Sequence, residues 1–562
     1  MLSKTFDPRI AELGTGIQAE AYKAYCETGS FRKAAKVLGK AVSSTHGALK
    51  YLEKKATANG LLAACDAVSP VLAGATQLVE PTCVDLPKKG HIKRLIFTSA
   101  QNNTKVNKKV WSNLLALAEF YEADIHVSHF TYARTGFASN TTAEKVKGRS
   151  AGGLGSAEIS YDPILRGYES NEPLRLSSDL VWCGEMNILP TATNPLSGMD
   201  SYTKSSSSIF PHAKIALQCV ATMKHDPAKF MYTTGCVTER NYIPQKAGLK
   251  ASFHHSYGAL LVEIQPDGVW FARQLNADNE STIYDLEVVA EGGTVYENTE
   301  GFKAYNPGDV HAASLCPKNE AAMWGRGASV VDVMRPEFVF LHDIVDFRAR
   351  NHHDIRDPHK CFKKFINGVD SVMAEMSVIV DTLSRMDREF CTLVVVDSNH
   401  DQAATRWLKE ADFKYDPVNA VFYLRCTLAI YESIEAQDTN FHLVEWALKY
   451  LGVSASVRFL RPDESFMVCG IQMGQHGDHG PNGSRGGPNN LKKLGEKINV
   501  GHYHTACIVD GLFAAGMNGS IEQGYNVGHS SWSASDIGTY PNGKRVIITK
   551  RAVGDIVKWR AK

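Results

Sequence analysis

Between residues 337 and 505, short apolar runs alternate with helical segments, and each run stops at side chains able to bind a metal. EFVFLHD (337–343) ends in Asp343, and CTLVVVDSNHD (391–401) ends in Asn399, His400 and Asp401. SFMVCGIQMGQHG (465–477) runs into His476, and KINVGHYHT (497–505) into His502 and His504. Upstream, Asp309 and His311 follow a Pro-Gly pair. Short apolar strands separated by helices, here near 361–385 and 421–434, specify an α/β sheet. Ligands gather beyond the carboxyl ends of strands in such sheets, so residues far apart in the chain can converge there.

Carboxylate, imidazole and amide oxygen together suit Mn²⁺, Zn²⁺ or Fe²⁺ better than Ca²⁺ or Mg²⁺, which prefer oxygen alone. The order of the pieces resembles the calcineurin-like metallophosphoesterase family, whose pattern is D-x-H, G-D-x-x-D, G-N-H-D/E, H and G-H-x-H. This chain reads G-D-V-H (308–311), H-D-I-V-D (342–346), S-N-H-D (398–401), Q-H-G (475–477) and G-H-Y-H (501–504). The resemblance implies a four-layer α/β sandwich in the C-terminal half and two divalent transition-metal ions, Mn²⁺ foremost. It implies that Asp309, His311 and His504 hold one ion and Asn399, His476 and His502 the other, with Asp343 shared. His400 would contact the phosphate and protonate the leaving group, and Asp346 would be structural. His342 and Ser398 stand where the family has glycine, which puts the local backbone in doubt but removes no ligand. His479 competes with His476 for the lone-histidine slot; His476 is preferred because it directly follows the apolar run. His352, His353 and His359 match no position of the pattern, and a solvated loop is their simpler reading.

Four segments are expected: 1–60, a linker or packing arm at 61–90, a mixed α/β segment at 91–300 packing on the catalytic part, and the phosphoesterase domain at 301–562. Residues 1–60 are helical and basic, with ten Lys/Arg against five Asp/Glu. The stretch AYKAYCETGSFRKAAKVLGKAVSSTHGALKYLEKKA (21–56) reads as helix, break at Ser30, helix, turn at Gly39 and helix. Small residues and a turn glycine let two helices cross closely, as a helix-turn-helix requires. The third helix would offer Thr45, His46 and Lys50 to a DNA groove, Arg32 and Lys33 would meet phosphates, and Leu49 and Leu52 would face the core. G-S-F-R-K-A-A-x-x-L-G resembles helix-turn-helix segments of transposase-like and phage DNA-handling proteins. A helical bundle used for oligomerisation is the plainer alternative.

In the middle segment, KRLIFTS (93–99), a helix over 106–121 and ADIHVSHF (123–130) form a β-α-β pattern, and PDG joins ALLVEIQ to GVWFARQLN as a hairpin. No P-loop or G-x-G-x-x-G is present. The net charge of +1 does not by itself argue for nucleic acid. The 12 cysteines form no C-x-x-C pair and read as reduced thiols. No run has the ~18 apolar residues of a membrane span, and no secretory signal opens the chain, so a cytoplasmic protein is expected. A DNA-binding module joined to a two-metal phosphodiesterase resembles the Mre-type nuclease branch, and the whole architecture resembles a phage-encoded DNase that degrades host DNA in the host cytoplasm. A small-molecule phosphodiesterase or phosphatase with a regulatory or oligomerising N-terminus is the alternative. DNA and further copies of the chain are the expected partners.

Overall fold

In the computed structural model the described residues are 6–28, 30–59, 61, 79–132, 160–223, 226–352, 354–520, 523 and 526–562. The chain divides into two compact units, Met1–Glu80 and Pro81–Lys562. Most of the expected linker, residues 62–78, lies outside the described residues, as does His353.

In the first unit the helices Gly16–Thr28, Phe31–Val37 and Val42–Ala58 enclose Tyr22, Ala34, Leu49 and Leu52. Leu49 and Leu52 are buried, as their spacing requires. The turn between the second and third helices rests on Gly39, whose φ of 63° is left-handed, with its N–H on the Lys36 carbonyl. Thr45 departs from expectation. It is buried, and its Oγ1 donates to the Ala41 carbonyl at 3.2 Å, so it faces the helical core instead of a groove. Early in a helix a threonine hydroxyl readily bonds the carbonyl four residues back, which turns it inward. Lys33 is exposed, while the side chains of Arg32, His46 and Lys50 lie outside the described residues.

The second unit is mixed α/β. Its six-stranded sheet has the order Arg458–Phe459, Thr392–Val395, Phe338–Leu341, Ala304–Asn306, Ser535–Thr539 and Arg545–Thr549. The first four strands are parallel and the last two join antiparallel. On one face Leu393 and Val395 pack with Ile379, Leu383, Trp407 and Leu448 from the helices Val372–Met386, Asp401–Glu410 and Leu443–Tyr450. On the other face Phe340 and Val394 pack against Ile471 and Met473. Being covered on both sides, these parallel strands are continuously apolar.

Ile471–Gln472 belongs to an eleven-stranded sheet in which Lys497–Val500, Leu512–Ala514 and Cys507–Val509 continue into Leu217–Val220, Lys229–Thr233 and Ser207–Phe210. The middle segment therefore shares a sheet with the C-terminal half. The expected β-α-β is present as Lys93–Gln101, Lys108–Tyr121 and Asp124–Phe130, with its two strands parallel. The expected hairpin pairs Gly258–Ile264 with Trp270–Asn276. Two expectations change. SFMVCGIQM is a tight hairpin, Met467–Val468 against Ile471–Gln472, turning through Cys469 and Gly470 at positive φ. The helix near 361–385 is two, Pro358–Ile366 and Val372–Met386, separated at Gly368 with its φ of 66°. Among the described residues no helix is long and apolar enough to cross a membrane.

Candidate metal centre

Asp309 stands just past the strand Ala304–Asn306, and its loop is pinned from three sides. The Gly308 N–H donates to Asp536 Oδ1 (3.1 Å), the Asp309 N–H to the Gly516 carbonyl (3.0 Å), and the Asn518 N–H to the Asp309 carbonyl (2.8 Å). Asp536 is itself buried and accepts from the Tyr305 hydroxyl (2.6 Å) and the Lys550 ammonium. Two residues on, the N–H of His311 reaches the Asp343 carbonyl (2.9 Å), tying this loop to the end of Phe338–Leu341.

His311, Asp343, His502 and His504 all have positive φ, between 45° and 70°. L-residues rarely adopt this conformation, and such strain concentrates where side chains must be aimed. Gly501 answers a different need. A Cβ there would sit 2.1 Å from Asp309 Oδ1 and 2.8 Å from the His342 Cβ, so only glycine lets the G-H-Y-H turn approach. The close approach allows the His502 N–H to donate to Asp309 Oδ1 at 3.0 Å.

Asp309, His311, Asp343 and His504 each place one ligand atom within 4.8 Å of the others, and all four are buried. The Nε2 atoms of His311 and His504 lie 3.1 Å apart on perpendicular rings, and His504 Nε2 is 3.1 Å from Asp309 Oδ2. His311 Nδ1 donates to Asp346 Oδ1 (2.6 Å), which fixes the tautomer and leaves Nε2 to face the cluster. Asp346 Oδ2 accepts from the Ser314 hydroxyl (3.0 Å). On the other side of Asp343, His476 Nε2 is 3.3 Å from Oδ1, and the His476 ring packs edge-on to His502.

These atoms are close but not paired. Asp309 Oδ2, Asp343 Oδ1 and His476 Nε2 are buried and make no aligned hydrogen bond. Buried carboxylates without partners are costly, and lone pairs aimed at shared space are what a cation requires. The residues therefore fit a metal ion, and two carboxylates with two or more imidazoles suit a transition metal. Without a cation, protons take its place. Burial pulls the His311 imidazole down, but Asp346, Asp343 and Asp309 raise it to about 9; His476 reaches about 9 through Asp343 against the same burial. Burial, then the neighbouring His476, lowers His342 to about 4.

His476 reaches the cluster, whereas His479 lies at the surface, 2.8 Å from Asp478. His400, at the N-cap of Asp401–Glu410, places Nε2 4.0 Å from Asp343 Oδ2 while Nδ1 donates to the Asp346 carbonyl (3.3 Å). Asn399 is an exposed turn residue just before it. In the positions where glycine was expected, His342 stacks on His476 and Ser398 donates its N–H to Asp401 Oδ2 (3.1 Å). His352 pairs with Arg406 (2.9 Å), and His359 lies in the exposed first turn of Pro358–Ile366. The motifs gave no sign of the Lys550–Asp536 pair or of Trp532, whose ring meets His504 edge-on at 4.4 Å.

No protein-family model matches the chain, and no solved structure does. It is 40% identical over 467 residues, 81% of each chain, to Protein A1 of Escherichia phage T5. That likeness bears out the phage connection expected from the sequence, and this chain belongs to the family of phage T5 Protein A1.

Proposed function

We propose that the protein is a metal-dependent deoxyribonuclease of the calcineurin-like metallophosphoesterase type, of the Mre-type nuclease branch, acting on host DNA in the host cytoplasm. The observation that carries this reading is the buried convergence of Asp309, His311, Asp343 and His504 with lone pairs left unpartnered. The sheet-backed helical layer over Phe338–Leu341 and Thr392–Val395 is consistent with the sandwich of that family.

Asp309, His311 and His504 would hold one Mn²⁺, and Asn399, His476 and His502 a second, with Asp343 contributing to both. Bound there, divalent ions supply positive charge to a phosphate diester and acidify water. The chain's own part follows from its hydrogen bonds. His400 keeps a proton on Nδ1 for the Asp346 carbonyl, so Nε2 is the nitrogen that delivers a proton to the departing sugar oxygen. Asp346 holds the His311 ring in place. Arg32, Lys33, His46 and Lys50 of the helix-turn-helix contact DNA.

The test is plasmid cleavage by the purified protein in Mn²⁺, beside an EDTA control and His400→Ala. Metal-dependent cleavage lost in both controls is expected. Turnover of a small phosphodiester with DNA left intact would replace the nuclease by a small-molecule phosphodiesterase.

A further inference from the structure

Of the eight tryptophans, all but Trp532 sit in an apolar cluster or pack against one. That is the ordinary use of so large a ring, which stabilises by burying its surface. Trp532 is only half-buried, and its ring meets that of His504 edge-on at 4.4 Å, beside the cluster of Asp309, His311 and Asp343. Its backbone is held from both sides. Ser530 and Thr222 exchange N–H and carbonyl bonds (2.9 and 3.0 Å), and the Trp532 N–H donates to Ser530 Oγ (3.2 Å). The Ser533 N–H donates to the His504 carbonyl (3.0 Å), and Thr505 and Ser531 pair through their hydroxyls (3.0 Å). The ring is thus carried at a fixed place on the rim of the candidate centre. The part of it left in water gives up the stabilisation that burial would supply, and a flat aromatic ligand recovers it.

We propose that Trp532 contacts the substrate, as the ring on which a nucleobase beside the cleaved phosphodiester stacks. The inference rests on the nuclease reading and adds to it what holds the strand. A phosphate seated at the Asp309 cluster brings the base of an adjoining nucleotide within reach of a ring that touches His504. Every base has a π-face, so stacking holds a strand without reading its sequence. Inside a duplex both faces of a base are covered by its neighbours, so Trp532 takes a base with an open face, in a single strand or at a duplex end. The rival role is a brace for the His504 ring, as Asp346 is for His311. A brace governs metal affinity and is indifferent to whether the strand carries bases.

That difference gives the test: hydrolysis in Mn²⁺ of single-stranded oligo(dT), beside a strand of equal length built from abasic sugar phosphates. The parent should favour oligo(dT) about tenfold in kcat/KM, mainly through KM, whereas Trp532→Ala should cleave both strands alike. Calorimetry should find Mn²⁺ binding by Trp532→Ala unchanged. A second readout needs no turnover. In the His400→Ala background, which keeps the strand intact, oligo(dT) should quench tryptophan emission, and adding Trp532→Phe should abolish the quenching; this decides the matter if Trp532→Ala does not fold. A base preference that survives Trp532→Ala, quenching that survives Trp532→Phe, or equal cleavage of both strands by the parent overturns the stacking and leaves the nuclease reading standing. Loss of Mn²⁺ affinity in Trp532→Ala with the base preference kept overturns it in favour of the brace. A parent that cleaves no DNA at all overturns the nuclease reading as well.

Discussion

Around Arg273 every carboxylate oxygen has a donor, whereas around Asp309 the buried Asp309 Oδ2 and Asp343 Oδ1 have no aligned donor. Arg273 donates to Glu263 (2.6 Å) and with two nitrogens to Asp285 (2.8 and 2.9 Å). Arg94 serves the other oxygen of Glu263 (2.9 Å), and the Tyr121 hydroxyl serves Asp285 (2.7 Å). Desolvation is thus offset within the chain, and the cluster ties the Lys93–Gln101 sheet to the Lys108–Tyr121 helix. The Asp309 cluster is equally buried, yet it leaves Asp309 Oδ2, Asp343 Oδ1 and His476 Nε2 without an aligned hydrogen bond, a set of atoms that could hold a metal ion. Saturated charge is structural; unsaturated charge is a binding site.

The largest expected effect separates activity from stability. Asp343→Asn should reduce metal-dependent hydrolysis by roughly a thousandfold, several kcal/mol of transition-state stabilisation. In EDTA, above the pH of about 9 at which His311 and His476 lose their protons, the same variant should be no less stable than the parent and should gain about 1–3 kcal/mol, because a buried anion then left without a cationic partner is removed. Denaturant unfolding in EDTA checks this, and a loss of stability would show that Asp343 is structural.

Arg273→Met should do the reverse, costing about 3–5 kcal/mol by stranding two carboxylates. Acid should produce part of the same loss. Burial alone would raise Glu263, but Arg273 and then Arg94 hold it at about 2, below its ordinary 4.5. A depressed carboxyl contributes stability that is present above the unfolded value near 4.5 and disappears as pH falls toward 2. That limb of the stability curve should flatten in Arg273→Met.

Mn²⁺ at a hundred times its Kd should stabilise the parent by about 2.7 kcal/mol and leave Asp343→Asn unmoved in thermal unfolding. The metal must displace the protons on His311 and His476, both near 9 without it, so affinity should rise with pH up to that value. The smallest effect belongs to Asp346→Asn, which loosens the His311 ring and should weaken Mn²⁺ binding by about 10- to 100-fold in calorimetry.

How much of this the sequence displays depends on how local the cause is. Each loop of the candidate centre follows a run whose end residue is visible in a few positions, so Asp309, Asp343, His476 and His504 are singled out by the order of those runs and the family resemblance that the order carries. The β-α-β at 93–130 and the 258–276 hairpin are legible for the same reason. Thr45 goes against its sequence reading because a threonine in a helix can satisfy its hydroxyl on its own backbone and turn inward. The eleven-stranded sheet is illegible because its pairings, such as Ile508 opposite Leu217, depend on contacts far apart in the chain. Asp536 and Lys550 belong to the same class: nothing near them in sequence announces that they brace Gly308.

The bracing of Gly308 by Asp536 also fixes when in the life of the polypeptide this centre can exist. The strand carrying Asp309 is bordered on one side by Ser535–Thr539, and the carboxylate that grips its loop is residue 536. A ribosome emits roughly 5–20 residues per second, so the nascent chain presents Asp309 and His311 long before their frame arrives. Assembly of the cluster waits until Asp536 has been made, and a fragment released before it carries the motif without the geometry.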